Sequence, residues 1–423
     1  MDALPSSPLP ADLLLDILAR CDPVTLVRCA ATCKPWYRCI TDTAFSRFVR
    51  AHTGSRRLCR AGFFFSHRSP AGRHGFKGTR KTLSFSCDAA ASPAVRTIRS
   101  FLSRNAMESF ELVASRGGLV LFRPTTAESP WTRPPLCICN PLTGWRRSIP
   151  PPAIYDEKYV LLAGEDGRSF RIVAVDFGKL RSCQLKVQGF RSEAEDDTRG
   201  PTADGGGAWS PAIESSPSPP GDFDRVVSPT PVVLGRAAYW LFKARGAYNV
   251  LALHVGTAAR TACILAPSEP ALGSGGAMIP RNQVLLSSTA DGRLSLLAAE
   301  EARISVWALT MPATAAATAA PAGGGSDSGL GGWSLQAMYE RESIARSVEQ
   351  LHGSRRKLGH PGIDLVRSGE RGGVALMRVH GCGSYVVLDT EANEIVRTEV
   401  AGSSCIFPYE FDLASMIASM KLF

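Results

Sequence analysis

CAATCKPWYRCI, residues 29–40, sets three cysteines around Lys34, Pro35 and Trp36. Such a cluster has three readings: a metal site, a redox pair, or packing. On one helix Cys29 and Cys33, four residues apart, would share a face. A metal would need two further ligands, and no His or Cys pair stands nearby to supply them. Free cysteine behaves as a small hydrophobe and is among the most buried residue types. Packing is therefore the expected role, with Trp36 anchoring a small core and the segment serving interaction rather than chemistry.

The residues around it follow a helical period. In LPADLLLDILARC (9–21) Leu13, Leu14, Ile17 and Leu18 form one stripe of a short helix. Asp22 is a good N-cap, and Pro23 suits the first position of a second helix whose stripe is Leu26, Val27, Ala30 and Ala31. Lys34 precedes a proline and is expected to break that helix. Pro35 then opens a third helix with Trp36 and Ile40, and TDTAFSRFVRAH continues with Phe45, Phe48 and Val49 inward. A helical cluster of roughly forty residues is small enough to need a partner for full stability.

From about Leu58 the pattern changes to short β-prone runs ended by turns. FELVASRGGLVLFR is two runs around Gly117-Gly118, and LCICNPLTGWRRSI places Asn-Pro and Thr-Gly turns before a further strand. Many short, evenly spaced strands point to a sandwich, barrel or propeller. A propeller suits the length best at about 40–50 residues per blade, though no repeat signature recurs to count the blades. Residues 191–225 and 312–332 are poor in apolar groups and rich in Gly, Pro, Ala and Ser, so they are expected to be disordered insertions. The first carries the Ser-Pro pairs Ser210-Pro211, Ser216-Pro217 and Ser218-Pro219, substrates in principle for proline-directed phosphorylation.

Composition narrows the function classes. The opening residues lack a basic n-region, and Asp12 and Asp16 interrupt the only apolar run, so no secretory signal or membrane span is expected. With 12 cysteines and no secretory route, reduced thiols are expected, and localisation is cytoplasmic and/or nuclear. The formal charge of +10 is uneven: residues 1–100 hold no Glu, and 55–81 concentrate Arg, Lys and His. That segment reads equally as a solvated loop or as an attractor for acidic partners or nucleic acid. No nucleophile elbow, zinc-protease helix or phosphate-binding loop is present, and no Cys-x-x-Cys occurs. Cys137 and Cys139 fall on one face of a strand and are expected to face the core. No catalytic, cofactor-binding or metal residue is therefore assigned.

Leu9-Pro10, Leu13-Leu14, Ile17-Leu18, Leu26, Cys33-Lys34-x-Trp36 and Phe45 resemble the F-box in residue type and spacing across residues 9 to about 48. Asp12 stands where Glu is frequent, Cys21 where Leu is common and Thr32 where Val is usual. Downstream, SRGGLVLF, ICNPLTGWRRSIPPP, AAYWLF, ISVWAL and the tail FPYEFDLASMIASMKLF resemble, in order, the C-terminal region of grass-type plant F-box proteins. The resemblance implies a multidomain chain. A flexible N-terminus (1–8) precedes an all-α F-box of three short helices (9–50). An all-β, propeller-like substrate-recognition domain (51–423) carries the two insertions.

The same resemblance implies a non-catalytic subunit of an SCF-type ubiquitin ligase that needs no cofactor. Its F-box would bind a Skp-family adaptor and, through it, a cullin and a RING protein; its β domain would hold a target protein. Leu9, Pro10, Leu13, Ile17, Leu18, Leu26, Val27, Cys33 and Trp36 are the implied F-box core and adaptor contact. Two other readings stand beside it. One is a nucleic-acid-binding or scaffold protein using the basic 55–81 segment, disfavoured because its aromatics are not interleaved as stacking platforms. The other is an enzyme built on a propeller, whose active site would leave no linear motif.

Overall fold

A computed structural model describes residues 10–21, 23–42, 45, 58–69, 80–86, 93–105, 107, 110–125, 133–155, 157–164, 169–178, 184–192, 207–215, 225–228, 230–244, 247–255, 260–265, 283–289, 291–310, 332–352, 362–370, 373–381, 384–390, 392–401 and 405–412. Helices α1 (Ala11–Arg20), α2 (Pro23–Thr32) and α3 (Lys34–Thr41) come first. Pro23 and Pro35 both sit in first turns, where a missing N–H costs nothing. The break between α2 and α3 falls at Cys33, which is extended at φ −160°, one residue before the expected Lys34. Cys29 and Cys33 therefore lie on either side of a helix end rather than on one helix face. Asp22, Phe48 and Val49 lie outside the described residues.

Among the described residues the rest is built from 24 strands in six antiparallel sheets, with two further helices. β1 (Leu58–Ser69) and β2 (Arg80–Ser86) are followed by α4 (Pro93–Arg104). Sheet I is β3 (Phe110–Arg116), β4 (Leu119–Pro124), β5 (Leu136–Asn140) and β6 (Trp145–Ile149). Sheet II is β7 (Glu157–Ala163), β8 (Phe170–Asp176), β9 (Leu185–Arg191) and β10 (Ile213–Ser215). In sheet III, β11 (Arg225–Val226) and β12 (Val232–Leu234) both pair with β13 (Ala237–Ala244), followed by β14 (Ala247–His254) and β15 (Arg260–Leu265). Sheet IV is β16 (Val284–Ser288), β17 (Leu294–Ala299), β18 (Arg303–Leu309) and β19 (Trp333–Glu340). After α5 (Arg341–His352), sheet V is β20 (Ile363–Ser368), β21 (Val374–Val379), β22 (Ser384–Asp389) and β23 (Glu394–Ala401). The last strand, β24 (Cys405–Asp412), returns to pair with β1. The closing sheet, order β2-β1-β24, thus joins the two ends of the β region.

The six sheets form a ring, and the burial pattern explains why. Alternate residues of a strand point to opposite faces, so a sheet packed on both sides buries consecutive residues. On β13, Ala238, Trp240 and Phe242 enter a core shared with sheet II, while Ala237, Tyr239 and Leu241 enter one shared with sheet IV. On β1, Phe64 faces sheet I and Phe63 faces sheet V. Sheets I and II share a fifth such core, and sheets IV and V a sixth. Every gap in the ring is filled by one apolar layer, the arrangement of a six-bladed propeller. The apolar runs AAYWLF and ISVWAL are these doubly covered strands.

Three details add to the sequence reading. The propeller carries two helices beside its sheets: α4 inserts Val95, Ile98, Phe101 and Leu102 into the core between the closing sheet and sheet I, and α5 adds Ile344 and Val348 between sheets IV and V. Within 191–225, Arg191 ends β9, residues 207–215 are ordered, and β10 forms the outer edge of sheet II. Residues 193–206, 216–224 and 311–331 lie outside the described residues. Of the basic 55–81 segment, 58–69 form β1, paired on both sides with Phe63 and Phe64 buried, and 80–81 open β2, while 55–57 and 70–79 lie outside the described residues. Among the described residues no helix is long and apolar enough to cross a membrane.

The turns follow their residues. Gly117 and Gly118 (φ +57° and +81°) join β3 to β4 in a two-residue turn that requires positive φ at both positions. In the β5–β6 loop, Asn140 Oδ1 accepts hydrogen bonds from the Leu142 and Thr143 N–H groups, and Gly144 (φ +75°) closes the turn. A Cβ on Gly117 would stand 2.8 Å from the Ala163 Cβ, whereas one on Gly144 meets nothing within 4 Å. Gly144→Ala should therefore cost only the left-handed penalty, about 1–2 kcal/mol. Gly117→Ala should cost clearly more, and denaturant melts of the two variants would reverse this order if the β3–β7 approach were wrong.

Candidate functional site

Of the nine residues singled out by sequence, those whose side chains are described divide into an inward and an outward set. On α1, Leu18 is buried and Leu15 packs against the same core, together with Leu26 and Ala30 of α2 and Ile40 of α3. Trp36 borders that core but is only partly buried, as is Cys33. Pro10 is exposed at the start of α1. Leu13 and Ile17 are 52% and 49% exposed, although the period alone placed them in one stripe with Leu18. Leu9 lies outside the described residues, and Val27 is placed within α2 without its side chain being described.

The split is geometric. Leu15 and Leu18, three apart, reach the core; Pro10, Leu13 and Ile17 recur at i, i+3 and i+7, on a neighbouring stripe. Two large apolar side chains half in water on a ten-residue helix make a ready contact surface. Beside them Asp16 and Arg20 form an exposed i,i+4 ion pair at 2.8 Å, worth little to stability. Trp36→Ala should cost about 2 kcal/mol, below the 3–5 kcal/mol of a fully buried ring. Thermal unfolding followed by circular dichroism would measure it, and a loss of all helical signal would mean the ring is more central than its burial indicates.

The core of the helical segment is continuous with that of the closing sheet: Leu18, Leu26, Ile40 and Phe45 belong to one cluster with Phe64, Phe85, Ile98 and Tyr409. The cysteines are packing groups here. Cys139 is fully buried and its thiol is pushed well up by burial and by neighbouring Cys137; burial also raises Cys137, which is only partly covered, and Cys39. Among the described residues no group of three or more His, Cys, Asp and Glu side chains comes together.

A second feature lies where the innermost strands of all six sheets meet, around a cavity of about 80 Å³. Its wall mixes apolar and charged groups drawn from distant parts of the chain. Arg116 donates to the Val233 carbonyl (3.2 Å), and the Arg367 guanidinium lies 3.6 Å over the Phe407 ring. At the rim the Gly117 N–H donates to Glu370 Oε2 (2.8 Å), and the Glu370 N–H donates to Glu410 Oε2 (2.9 Å). The buried Ser115 hydroxyl on this wall has no hydrogen-bond partner among the described residues. Tyr159 donates to Glu157 (2.9 Å), and burial first, then the Glu157 charge, holds its phenol far above the ordinary range. Sequence reasoning did not find these residues; the only local signal was the Arg-Gly-Gly turn at 116–118.

A family model described as a domain of unknown function (DUF7595) matches residues 74–423, and one described as F-box-like matches residues 7–51. No curated protein matches the chain. Solved structures that resemble it include a prolyl endopeptidase from a study of two such enzymes, with 14% identity, TM-score 0.29, 80% of this chain and 39% of that chain. Oligopeptidase B from Leishmania major follows at 10% identity and TM-score 0.32, over 87% of this chain and 43% of that one. The β-propeller domain of Nup133 from Vanderwaltozyma polyspora has 9% identity and TM-score 0.23, over 71% of this chain and 92% of that one. The chain thus spans about two fifths of each peptidase chain.

Proposed function

We propose that this chain, which belongs to the family described as domain of unknown function DUF7595, is the substrate-recognising adaptor of an SCF-type ubiquitin ligase. The observation that carries the reading is the outward pair Leu13 and Ile17 on the first helix of the region matched as F-box-like. A soluble helix with no partner gains nothing from holding two large apolar groups in water, whereas a docked adaptor would bury them. Leu18, Leu26 and Trp36 then serve as the module's core, and Pro10, Leu13 and Ile17 as its contact, with Leu9, Val27 and Cys33 assigned to the F-box by the resemblance.

The chain performs no bond chemistry in this reading. The propeller holds a target protein, and the helical module holds the adaptor that leads to cullin and RING protein, so target lysines dwell near the loaded ubiquitin-conjugating enzyme. Tethering of this kind acts by raising effective concentration. The shared core of the helical segment and closing sheet supports it, because a tether of fixed geometry orients a target better than a loose one. The mixed charged and apolar rim of the central cavity is the natural start of the target surface.

Co-purification of the full chain with a Skp-family adaptor tests the proposal. A one-to-one complex at physiological salt is expected. Absence of any complex there would leave the helical module without its assigned role and remove the ligase reading.

A further inference from the structure

Ser210-Pro211 lies in a stretch that composition marked as unstructured, yet the chain is held there at the outer edge of sheet II. The Ser210 N–H donates to the Gly189 carbonyl (2.8 Å), and Gln188 Nε2 donates to the Ser210 carbonyl (2.8 Å). The preceding Trp209 donates its indole N–H to the Pro150 carbonyl (2.7 Å) and lies against the Phe190 ring at 5.5 Å. Ser210 Oγ accepts from the Gly189 N–H (3.0 Å) and donates to the Pro211 carbonyl (3.2 Å). Both residues of the pair are exposed.

Arg171 flanks this hydroxyl, and two further arginines lie near Arg171. The β8–β9 register sets Arg171 opposite Arg191, and Gly189, two residues before Arg191, shares their face. The point where a Gly189 Cβ would stand is 3.7 Å from Ser210 Oγ and 3.7 Å from Arg171 Nη2. Hydroxyl and guanidinium thus flank a space that a side chain would occupy. Arg171 is steadied by donating to the Val255 carbonyl of sheet III (3.0 Å). Arg236, in the turn that opens β13, adds a third charge: burial, then Arg191, then Arg236 disfavour the Arg171 cation. Three like charges share this seam, and an added anion there would offset their mutual repulsion.

Ser-Pro pairs recur along this chain, at Ser69, Ser92 and Ser129 among others, so the dipeptide alone selects nothing. At Ser210 the hydroxyl and the Arg171 guanidinium flank one open space beside Gly189. We propose that Ser210 is a modification site for a proline-directed serine/threonine kinase, and that its phosphate is held by Arg171 and Arg191 at the seam between sheets II and III. In the transfer Ser210 Oγ bonds to the γ-phosphorus of ATP as the bond to the ADP oxygen breaks, and the hydroxyl proton leaves to the kinase's base. The phosphoryl oxygens enter the space beside Gly189, where charge-assisted hydrogen bonds to two guanidinium groups replace the weak bond to Pro211. The modification would pin β10 and the 207–215 edge to the ring.

The test is phosphorylation of the full chain by a proline-directed kinase with ATP, with sites mapped by mass spectrometry. Removal of each phosphate by a non-specific phosphatase is then timed in the wild type and in Arg171→Gln/Arg191→Gln. Phosphate at Ser210 is expected, lost about tenfold more slowly in the wild type than in the variant, while phosphates at Ser216 and Ser218 leave both chains at equal rates. The single variant Arg191→Gln, at an exposed position, serves if the double variant does not fold. No phosphate at Ser210, or equal loss from Ser210 in wild type and variants, overturns the proposal.

Discussion

Leu13→Asp/Ile17→Asp should lose adaptor binding by more than a hundredfold while the chain stays folded. Both positions are about half exposed in the free chain, so the folded state has little to lose there. In a docked state the remaining half of each side chain would be covered. Full burial of Leu or Ile contributes about 1.5–3 kcal/mol, so half of each is about 1 kcal/mol and the pair about 2 kcal/mol, some thirtyfold in affinity. Two carboxylates at the same positions would be desolvated without a partner, which costs several kcal/mol more. Leu18→Asp is the contrast: it puts a charge where 3% of the side chain is exposed and should unfold the helical segment itself. Titration calorimetry with purified adaptor, beside circular dichroism of each variant, separates the two effects. A folded double variant with wild-type affinity would move the docking face away from α1.

The distinction between Leu13 and Leu18 marks how far the sequence could be read. Periodicity identifies apolar positions on a helix, but Leu13, Leu14, Ile17 and Leu18 span two adjacent stripes, and only the packing of α2 and α3 decides which is covered. Pro23 and Pro35 were informative because proline acts locally, and both sit in the first turn of a helix. The buried strands were equally legible as apolar runs. Their number was not, because sheets II and III take strands of two or three residues, β10, β11 and β12, which carry no run to recognise. Helix α4 had its signals, Pro93 ahead of Val95, Ile98, Phe101 and Leu102, but lay in a stretch otherwise read as strand. The cavity rim was beyond linear reading, since Gly117, Glu370 and Glu410 meet only after the ring closes. Closure itself pairs Leu58 with Asp412, a contact with no local signature.

Closure is also where a single side chain should matter most to stability. Tyr409 of β24 is wholly buried, its ring 5.2 Å from that of Phe64 and 6.1 Å from that of Phe85, both edge-on, with Phe411 at 6.4 Å. Its hydroxyl donates to the Gly118 carbonyl (3.0 Å), linking the last strand to the first turn of sheet I. Tyr409→Ala should cost about 3–5 kcal/mol, the range for deleting a buried aromatic ring. Tyr409→Phe keeps the ring and removes only the donor, so about 1–2 kcal/mol is expected from the carbonyl left behind. Because the closing sheet joins both ends of the β region, either loss should lower the apparent Tm of the whole ring rather than fray one sheet. Ile213→Ala, at an exposed edge position of β10, should fall within about 0.5 kcal/mol of wild type. Melts of the three variants that rank Tyr409→Ala with Ile213→Ala would mean that the β1–β24 pairing does not hold the ring, and that the six apolar layers suffice without it.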